Sequence, residues 1–437
     1  MNKGRQMGGE QLKSFLIDTR RDFHKYAESG WREFRTTSKI AEYLNDIGFQ
    51  AKLGKEIIKA DSAMGHPDDA KIKSETERAL EQGANPHWIE KMGGYTGVVG
   101  VLDTGKKGPV TAFRFDIDSN DISEAQDEKH RPFAQKFSSV NPLMAHACGH
   151  DGHTAIGLGL ARLLADSKEN LCGVIKLIFQ PAEEGLRGAK AIADSGILDN
   201  VNFLFGGHLG FAVPTGHIYT SCTGMLASTK LDVRLTGKSA HAGAAPNEGH
   251  NALLAAASMT VLLSGISPHK DGATRLNVGV LNAGVGRNVI APSAYMQIET
   301  RGYSSRLNDY VYENAIRIIE NVANIYNVSY KLEMVGSADG SEGDGEAAAI
   351  VAECAEELNG VHHLHVHDEH ANLGGSEDFT WLLKKVQEHG GKGTYLMLGA
   401  DISAPHHNEY FDFDENALPI GVDLYYRIAL KCVSMAG

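Results

Sequence analysis

The sequence predicts an α/β fold, a largely parallel sheet flanked by helices, with a smaller α+β domain inserted into it. Three observations carry this. Short apolar runs at 97–102, 109–115, 174–179 and 203–207 alternate with helix-periodic stretches at 152–165 and 189–195, the order expected when crossover helices join parallel strands. Near Gly224 the pattern changes to half-exposed alternation in the order strand, helix, strand, strand, helix, strand. After a Gly/Ser/Asp-rich stretch at 336–345 the first pattern resumes. A chain of 437 residues is too long for one ordinary core, so the expected division is 1–223 with 337–437 as one discontinuous domain and 224–336 as the insert.

In chain order, 10–25 is helical, with Leu12, Phe15 and Leu16 on one face. A second helix at 36–47 carries Ile40, Tyr43, Leu44 and Ile47 at helical spacing and stops at Gly48. Residues 51–94 are polar, with one helix at 74–82, and read as an elaboration outside the main core. The two strands at 97–102 and 109–115 follow. Helix 152–165 buries Ile156, Leu160, Leu163 and Leu164. Strand 174–179, helix 189–195 (stopped by Gly196), strand 203–207 and strand 217–221 complete the first part. The insert comprises strand 229–236, helix 251–263, strands 275–281 and 294–300, helix 307–326 and strand 328–334. Helices 346–358 and 376–386, strand 394–398 and helix 415–433 close the chain.

Composition excludes several classes. A net charge of −13 disfavours nucleic acid or an anionic membrane surface as a partner. The polar stretch 1–13 has no apolar centre and does not read as a signal peptide, and no apolar run approaches membrane-spanning length. Five scattered cysteines fit a reducing, cytoplasmic setting better than a disulfide framework.

In open α/β sheets, sites form beyond the carboxyl ends of strands. Four segments meet that condition: Cys148 and His150 before a helix, Glu183-Glu184 after the strand ending at Phe179, His208 after the strand ending at Gly207, and His406-His407 beyond the strand ending at Leu398. One thiolate, imidazoles and a carboxylate suit Zn, Mn, Co or Ni rather than Ca or Mg. A bridging thiolate and five ligands fit a two-ion site that activates water. Of Glu183 and Glu184, one need ligate and the other can serve as general base. Cys148 has a competing reading as a nucleophile beside His150 or His153. Five more histidines between His362 and His370 alternate with Leu364 and Val366, the pattern of an exposed edge strand.

Taken together, these motifs resemble the metal-dependent amidohydrolases that include hippurate hydrolases, auxin–amino acid conjugate hydrolases and glutamate-releasing carboxypeptidases. The likeness spans nearly the whole chain. It rests on residues 21–36, Phe113-Arg114-Phe115-Asp116, the stretch 146–153 (His-Ala-Cys-Gly-His-Asp-Gly-His), 180–185, Gly-Lys-Ser-Ala-His-Ala-Gly at 237–243, 286–289, Gly-Ser-Glu-Asp-Phe at 375–379, and His407 with Asp412-Phe413. The resemblance implies two divalent ions, Mn or Zn, held by Cys148, His150, Glu184, His208 and His407, with Glu183 as general base. His146, Asp151 and His153 then become residues that orient the ligands. It further implies that the insert is a lid and dimerisation domain whose His241 stabilises an oxyanion, in a partner's site, assisted by Asn288, and that Arg301 binds the substrate carboxylate. The implied reaction cleaves N-acyl or N-aroyl amino acids, with p-aminobenzoyl-glutamate as the specific expectation. The implied assembly is a homodimer or a hetero-oligomer with a similar protein that completes the site. Relatives usually carry a small residue at Phe115 and Ala-Leu where this chain has Ser119-Asn120, departures that bear on substrate preference.

Overall fold

The computed structural model describes residues 9–435; Met1 to Gly8 of the polar N-terminal stretch, and the last two residues, lie outside them. The described chain divides into two compact units. The first contains the residues up to Thr223, Glu342–Leu373 and those from Trp381 on, and the second contains Gly224–Ser341 and Gly374–Thr380. The second unit thus reaches five residues past 336 and also takes in the short stretch before Trp381.

The first unit is built on an eight-stranded sheet. Its strands are β1 Gln50–Leu53, β2 Val98–Asp103, β3 Val110–Asp116, β4 Val174–Gln180, β5 Phe203–Leu209, β6 His217–Tyr219, β7 His365–His367 and β8 Lys392–Leu398. Their spatial order is β1-β2-β4-β3-β5-β8-β6-β7. The central four, β4-β3-β5-β8, are mutually parallel. They are buried along almost their whole length, which is why they read as continuous apolar runs rather than alternating ones. β2 and β6 run antiparallel to their central neighbours, and β1 pairs antiparallel with β2.

Helices α1 Gly9–Lys25, α2 Phe34–Asp46, α3 His150–Asp166, α4 Gly345–His362 and α5 Ala417–Ser434 pack around this sheet. α3 is apolar on nearly every side and buried accordingly. Its Gly157 lies directly on the sheet, where a Cβ would come within 2.7 Å of both Phe115 and Phe179.

One expectation is corrected here. Residues 51–94 are not outside the main core. β1 joins the sheet, two helices (Asp69–Glu81 and Pro86–Met92) follow, and Leu53, Ala79, Ala84, Trp88 and Met92 belong to the same hydrophobic cluster as the sheet strands. The apolar residues of this stretch are spread over a strand, two helices and a turn, and average polarity conceals that they meet in the core.

The second unit is a four-stranded antiparallel sheet, ordered Ser329–Ala338, Ala227–Thr236, Ser293–Gly302, Thr274–Ala283, with helices Ala252–Ser264 and Ser305–Ile325. Leu231, Val233, Leu235, Met296 and Ile298 form its core with Ala255, Met259, Ala315 and Ile319 from the helices. No helix among the described residues is long and apolar enough to cross a membrane.

Candidate metal centre

The four central parallel strands end at one edge of the sheet: Asp116 stands opposite Gln180, and His208 opposite Met397. The loops leaving them supply the polar groups. Glu183 and Glu184 follow β4, His208 is part of β5, and His407 lies in the loop after β8. Cys148 and Gly149 lead into α3, with Gly149 at φ 87 as its N-cap and His150 as its first residue. Ala182 (φ 52) and His407 (φ 63) also sit in the left-handed region. That conformation is unfavourable for residues with a Cβ and concentrates where a site over-determines the backbone.

The side chains converge. Cys148 Sγ lies 3.4 Å from His208 Nε2, and His407 Nε2 lies 3.2 Å from Glu184 Oε1. Donor atoms of Cys148, His150 and His208 all fall within 4.8 Å of one another, as do those of Cys148, Glu184 and His407, and of His150, Glu183 and Glu184. Every residue of the ligand set implied by sequence is therefore in one cluster, with Glu183 against it.

Whether this cluster suits a metal is decided by its hydrogen bonds. His150 Nδ1–H donates to the carbonyl of Asp118 at 2.8 Å, and its Nε2 is buried with no hydrogen-bond partner among the described residues. An orphaned buried acceptor is costly unless something binds it. His208 Nδ1–H donates to its neighbour Leu209's carbonyl at 2.8 Å, which leaves Nε2 facing Cys148. Both rings are thus fixed with Nε2 turned inward, the arrangement by which backbone carbonyls orient metal-binding imidazoles. Cys148 first, then Glu184, raise His407 to about 10, so this corner favours positive charge. Thiolate, imidazole and carboxylate together fit transition ions.

The competing readings separate on the same grounds. Burial, then the nearby Glu184 carboxylate, pushes the Cys148 thiol up, the reverse of what activates a nucleophile. His153 is spoken for on both nitrogens: Nδ1 pairs closely with Asp116 and Nε2 accepts from Leu209 N–H. His406 donates from Nε2 to Leu209's carbonyl at 3.2 Å and stacks on Phe211, so of the His406-His407 pair it is His407 that faces Cys148 and Glu184.

In the second unit, His241 is exposed, and its Nδ1 accepts from the backbone N–H groups of Gly243 and Ala244 at 3.2 and 3.1 Å. The proton is therefore on Nε2, which makes the ring a donor toward solvent. The Asn288 turn lies beside it, with Ala242 N–H donating to the Asn288 carbonyl at 3.0 Å. Arg301, on strand Ser293–Gly302, donates to Glu299 at 3.0 Å; it is a paired arginine.

Residues 112–431 match the family model described as "Peptidase family M20/M25/M40". The chain belongs to this family. It is 48% identical over 417 residues, 95% of both chains, to a p-aminobenzoyl-glutamate hydrolase subunit of Escherichia coli (strain K12). It is 47% identical over 422 residues, 96% of both chains, to the indole-3-acetyl-aspartic acid hydrolase of Enterobacter agglomerans. A crystal structure of an aminobenzoyl-glutamate utilization protein from Klebsiella pneumoniae superposes with a TM-score of 0.82 at 41% identity, covering 97% of this chain and 96% of that one. As an M20/M25/M40 member with hydrolase relatives over its whole length, the chain is a metal-dependent amidohydrolase.

Several residues around the M20 centre have roles that the sequence did not assign to them. The Asp118 carboxylate accepts the backbone N–H groups of both Glu183 and Glu184, at 3.0 and 2.9 Å, so one buried side chain aims the whole Glu-Glu turn. Asn120 Nδ2 donates to Glu184 Oε1 at 2.6 Å. Glu33 accepts Ala182 N–H at 2.8 Å; burial, then the Asp118 carboxylate, pushes it up to about 8. The pattern that could have found the first two is Asp116-Ile117-Asp118-Ser119-Asn120, a polar cluster directly at a strand's carboxyl end.

Behind the centre, Asp151 receives Arg20 Nε–H at 2.7 Å and His24 Nδ1–H at 2.8 Å. Arg20 continues to Asp412 at 2.7 Å, which joins the start of α3 to the segment after His407. Of the orienting residues expected from sequence, Asp151 and His153 have such partners, whereas both ring nitrogens of His146 are buried without one among the described residues.

Proposed function

We propose that this chain hydrolyses the amide bond of N-aroyl amino acids, with p-aminobenzoyl-glutamate giving p-aminobenzoate and glutamate as the leading substrate. The observation that carries the reading is the convergence of Cys148, His150, Glu184, His208 and His407 at one sheet edge, with Glu183 beside them. Two divalent ions, manganese or zinc, would be held by those five side chains, and when bound they supply Lewis acidity and make water acidic enough to be a nucleophile at neutral pH. Glu183 accepts the proton of the attacking water and passes it to the leaving amine. Asp118 holds Glu183 and Glu184 by their backbones, so that base and ligand keep distinct directions. His241, with its proton on Nε2, is suited to donate to the developing oxyanion in a partner subunit's site, assisted by Asn288. Arg301 is suited to a substrate carboxylate once it exchanges Glu299 for it.

Support for the aroyl-glutamate substrate comes from the names of the 48%-identical relative and the superposing crystal structure. A second reading, an indole-acetyl-aspartate substrate, has nearly equal support from the 47%-identical relative. Pairing with a second copy or with a similar protein is part of the proposal. Two relatives carry names that make them one subunit of a hydrolase, and the second unit exposes Leu254, Val261, Leu262 and Val285. The cytoplasm is the proposed setting.

The test is a panel of p-aminobenzoyl-glutamate, indole-3-acetyl-aspartate and N-acetyl amino acids, assayed with the purified chain loaded with Mn or Zn. Highest kcat/KM on the first is expected, and preference for the second would replace the substrate while keeping the chemistry. No turnover of any would overturn the reading for the chain alone; rescue on adding a similar protein would establish the hetero-oligomer instead. Glu183→Ala should retain metal and lose turnover; unchanged activity would remove Glu183 from the mechanism.

A further inference from the structure

The far edge of the large sheet carries a histidine cluster that the reaction does not use. β6 and β7 pair in parallel with His217 opposite His365 and Tyr219 opposite His367. Residues two apart on a strand share a face, so His217, His365 and His367 all stand on one side, while Ile218 is buried and Val366 packs against the core on the other. His217 Nδ1 and His367 Nε2 are 2.9 Å apart. The His365 ring centroid is 4.6 Å from that of His217. Tyr219 stacks on His367 at 4.2 Å, fixing that ring's plane. The Glu369 carboxylate lies 3.7 Å from His367 Nδ1.

We propose that His217, His365 and His367 form a second, structural site for a borderline transition ion, zinc or nickel, that staples the edge strand β7 to β6. Two imidazole nitrogens bound to one tetrahedral ion at 2.0–2.1 Å stand about 3.3 Å apart. The His217–His367 pair therefore needs to open by only a few tenths of an ångström. His365 is exposed, so its ring turns freely toward His217. His217 and His367 already present two donors to one point, and His365, on the same face with its ring against His217, brings a third when that ring turns. Glu369, beside His367 Nδ1 and so not on the nitrogen that faces His217, is placed to orient that ring and balance charge, and imidazoles are ligands that suit such ions. β7 is a three-residue strand paired on one side only, the kind of edge that gains most from an added tie.

The experiment is equilibrium dialysis of the metal-stripped full chain against zinc chloride with metal counted by mass spectrometry, for wild type and for His217→Asn/His367→Asn. These side chains are outside the catalytic centre, so the variant should keep hydrolytic activity. The expected result is one ion fewer per chain in the variant. In parallel, zinc should slow hydrogen exchange of the amides at 365–372 at least tenfold in wild type and not in the variant. Equal stoichiometry in the two proteins, or exchange at 365–372 unchanged by zinc in wild type, would overturn the proposal. Circular dichroism of the metal-free variant confirms that any loss is of ligands and not of fold.

Discussion

Replacing His24 by Gln should remove a stabilisation whose pH-dependent part is large at pH 6 and almost gone above pH 9. His24 is fully buried, with Nδ1–H on Asp151 and Nε2–H on Glu124, each at 2.8 Å. Burial opposes its charge, but the bonds to Asp151 and Glu124 prevail and raise it from 6.5 to about 9. A raised folded-state value means that folding takes up a proton, so the stabilisation is complete below the unfolded value and is lost as pH rises through the folded one. From 6.5 and about 9, the linkage is worth about 3 kcal/mol at pH 6 and about 0.4 kcal/mol at pH 9. Glu124 is lowered to about 2, with the bonds from His130 and His24 as the main causes opposing its burial; its share from His24 is the same contact and is not counted again. Urea unfolding of the metal-free protein at half-unit steps from pH 6 to 9.5 measures this directly. The wild-type minus variant difference should shrink by at least about 2 kcal/mol across that range. A difference that stays flat with pH would refute the reasoning, because it would mean that His24 contributes packing and not charge.

The parts of this molecule that are legible in the sequence are those in which one local pattern serves one purpose. β3, β4, β5 and β8 are buried on both faces, so each reads as an apolar run, and the residues just beyond them are exposed to the site for the same reason. Cys148, His150, the Glu183-Glu184 pair, His208 and the His406-His407 pair stood out because they are metal-binding types in loops at the carboxyl ends of these strands or at a helix start; the resemblance then singled out Glu184 and His407. The edge strand at His365–His367 was legible from alternation alone. What stayed hidden depends on contacts between distant segments. Asp118 looks like any acid after a strand until its carboxylate is seen receiving both Glu183 and Glu184 N–H groups. Arg20 and His24 lie on α1, over a hundred positions from the Asp151 they hold. The core role of residues 51–94 was hidden because Trp88 and Met92 are isolated apolar residues in a polar stretch, and only the fold turns them inward.

Four further outcomes follow from the geometry. Stripping metal with a chelator should abolish turnover and restoring Mn or Zn should recover it; activity that survives stripping would return Cys148 to the role of nucleophile. His407→Asn should weaken metal retention 10- to 100-fold, whereas His406→Asn, whose ring donates to Leu209 and stacks on Phe211, should leave it within a few-fold; the reverse ranking by metal titration would exchange the two assignments. Gly157→Ala should cost about 1–3 kcal/mol in urea unfolding, since its methyl would meet both Phe115 and Phe179 at 2.7 Å, and a neutral result would mean that α3 can lift off the sheet. Asn120→Leu tests the departure from relatives beside the site. Asn120 Nδ2 holds Glu184 Oε1 at 2.6 Å while its Oδ1 accepts Ala147 N–H at 3.2 Å, so one amide sets both a carboxylate ligand and the loop that leads to Cys148. Leu removes both bonds and leaves the Glu184 carboxylate only its contact with His407. Metal affinity should fall about tenfold, and kcat should fall with it at saturating metal, because the ligand's direction and not only its presence is lost. If Asn120→Leu binds metal as wild type does and changes only KM, Asn120 acts on the substrate and Glu184 is held by His407 alone.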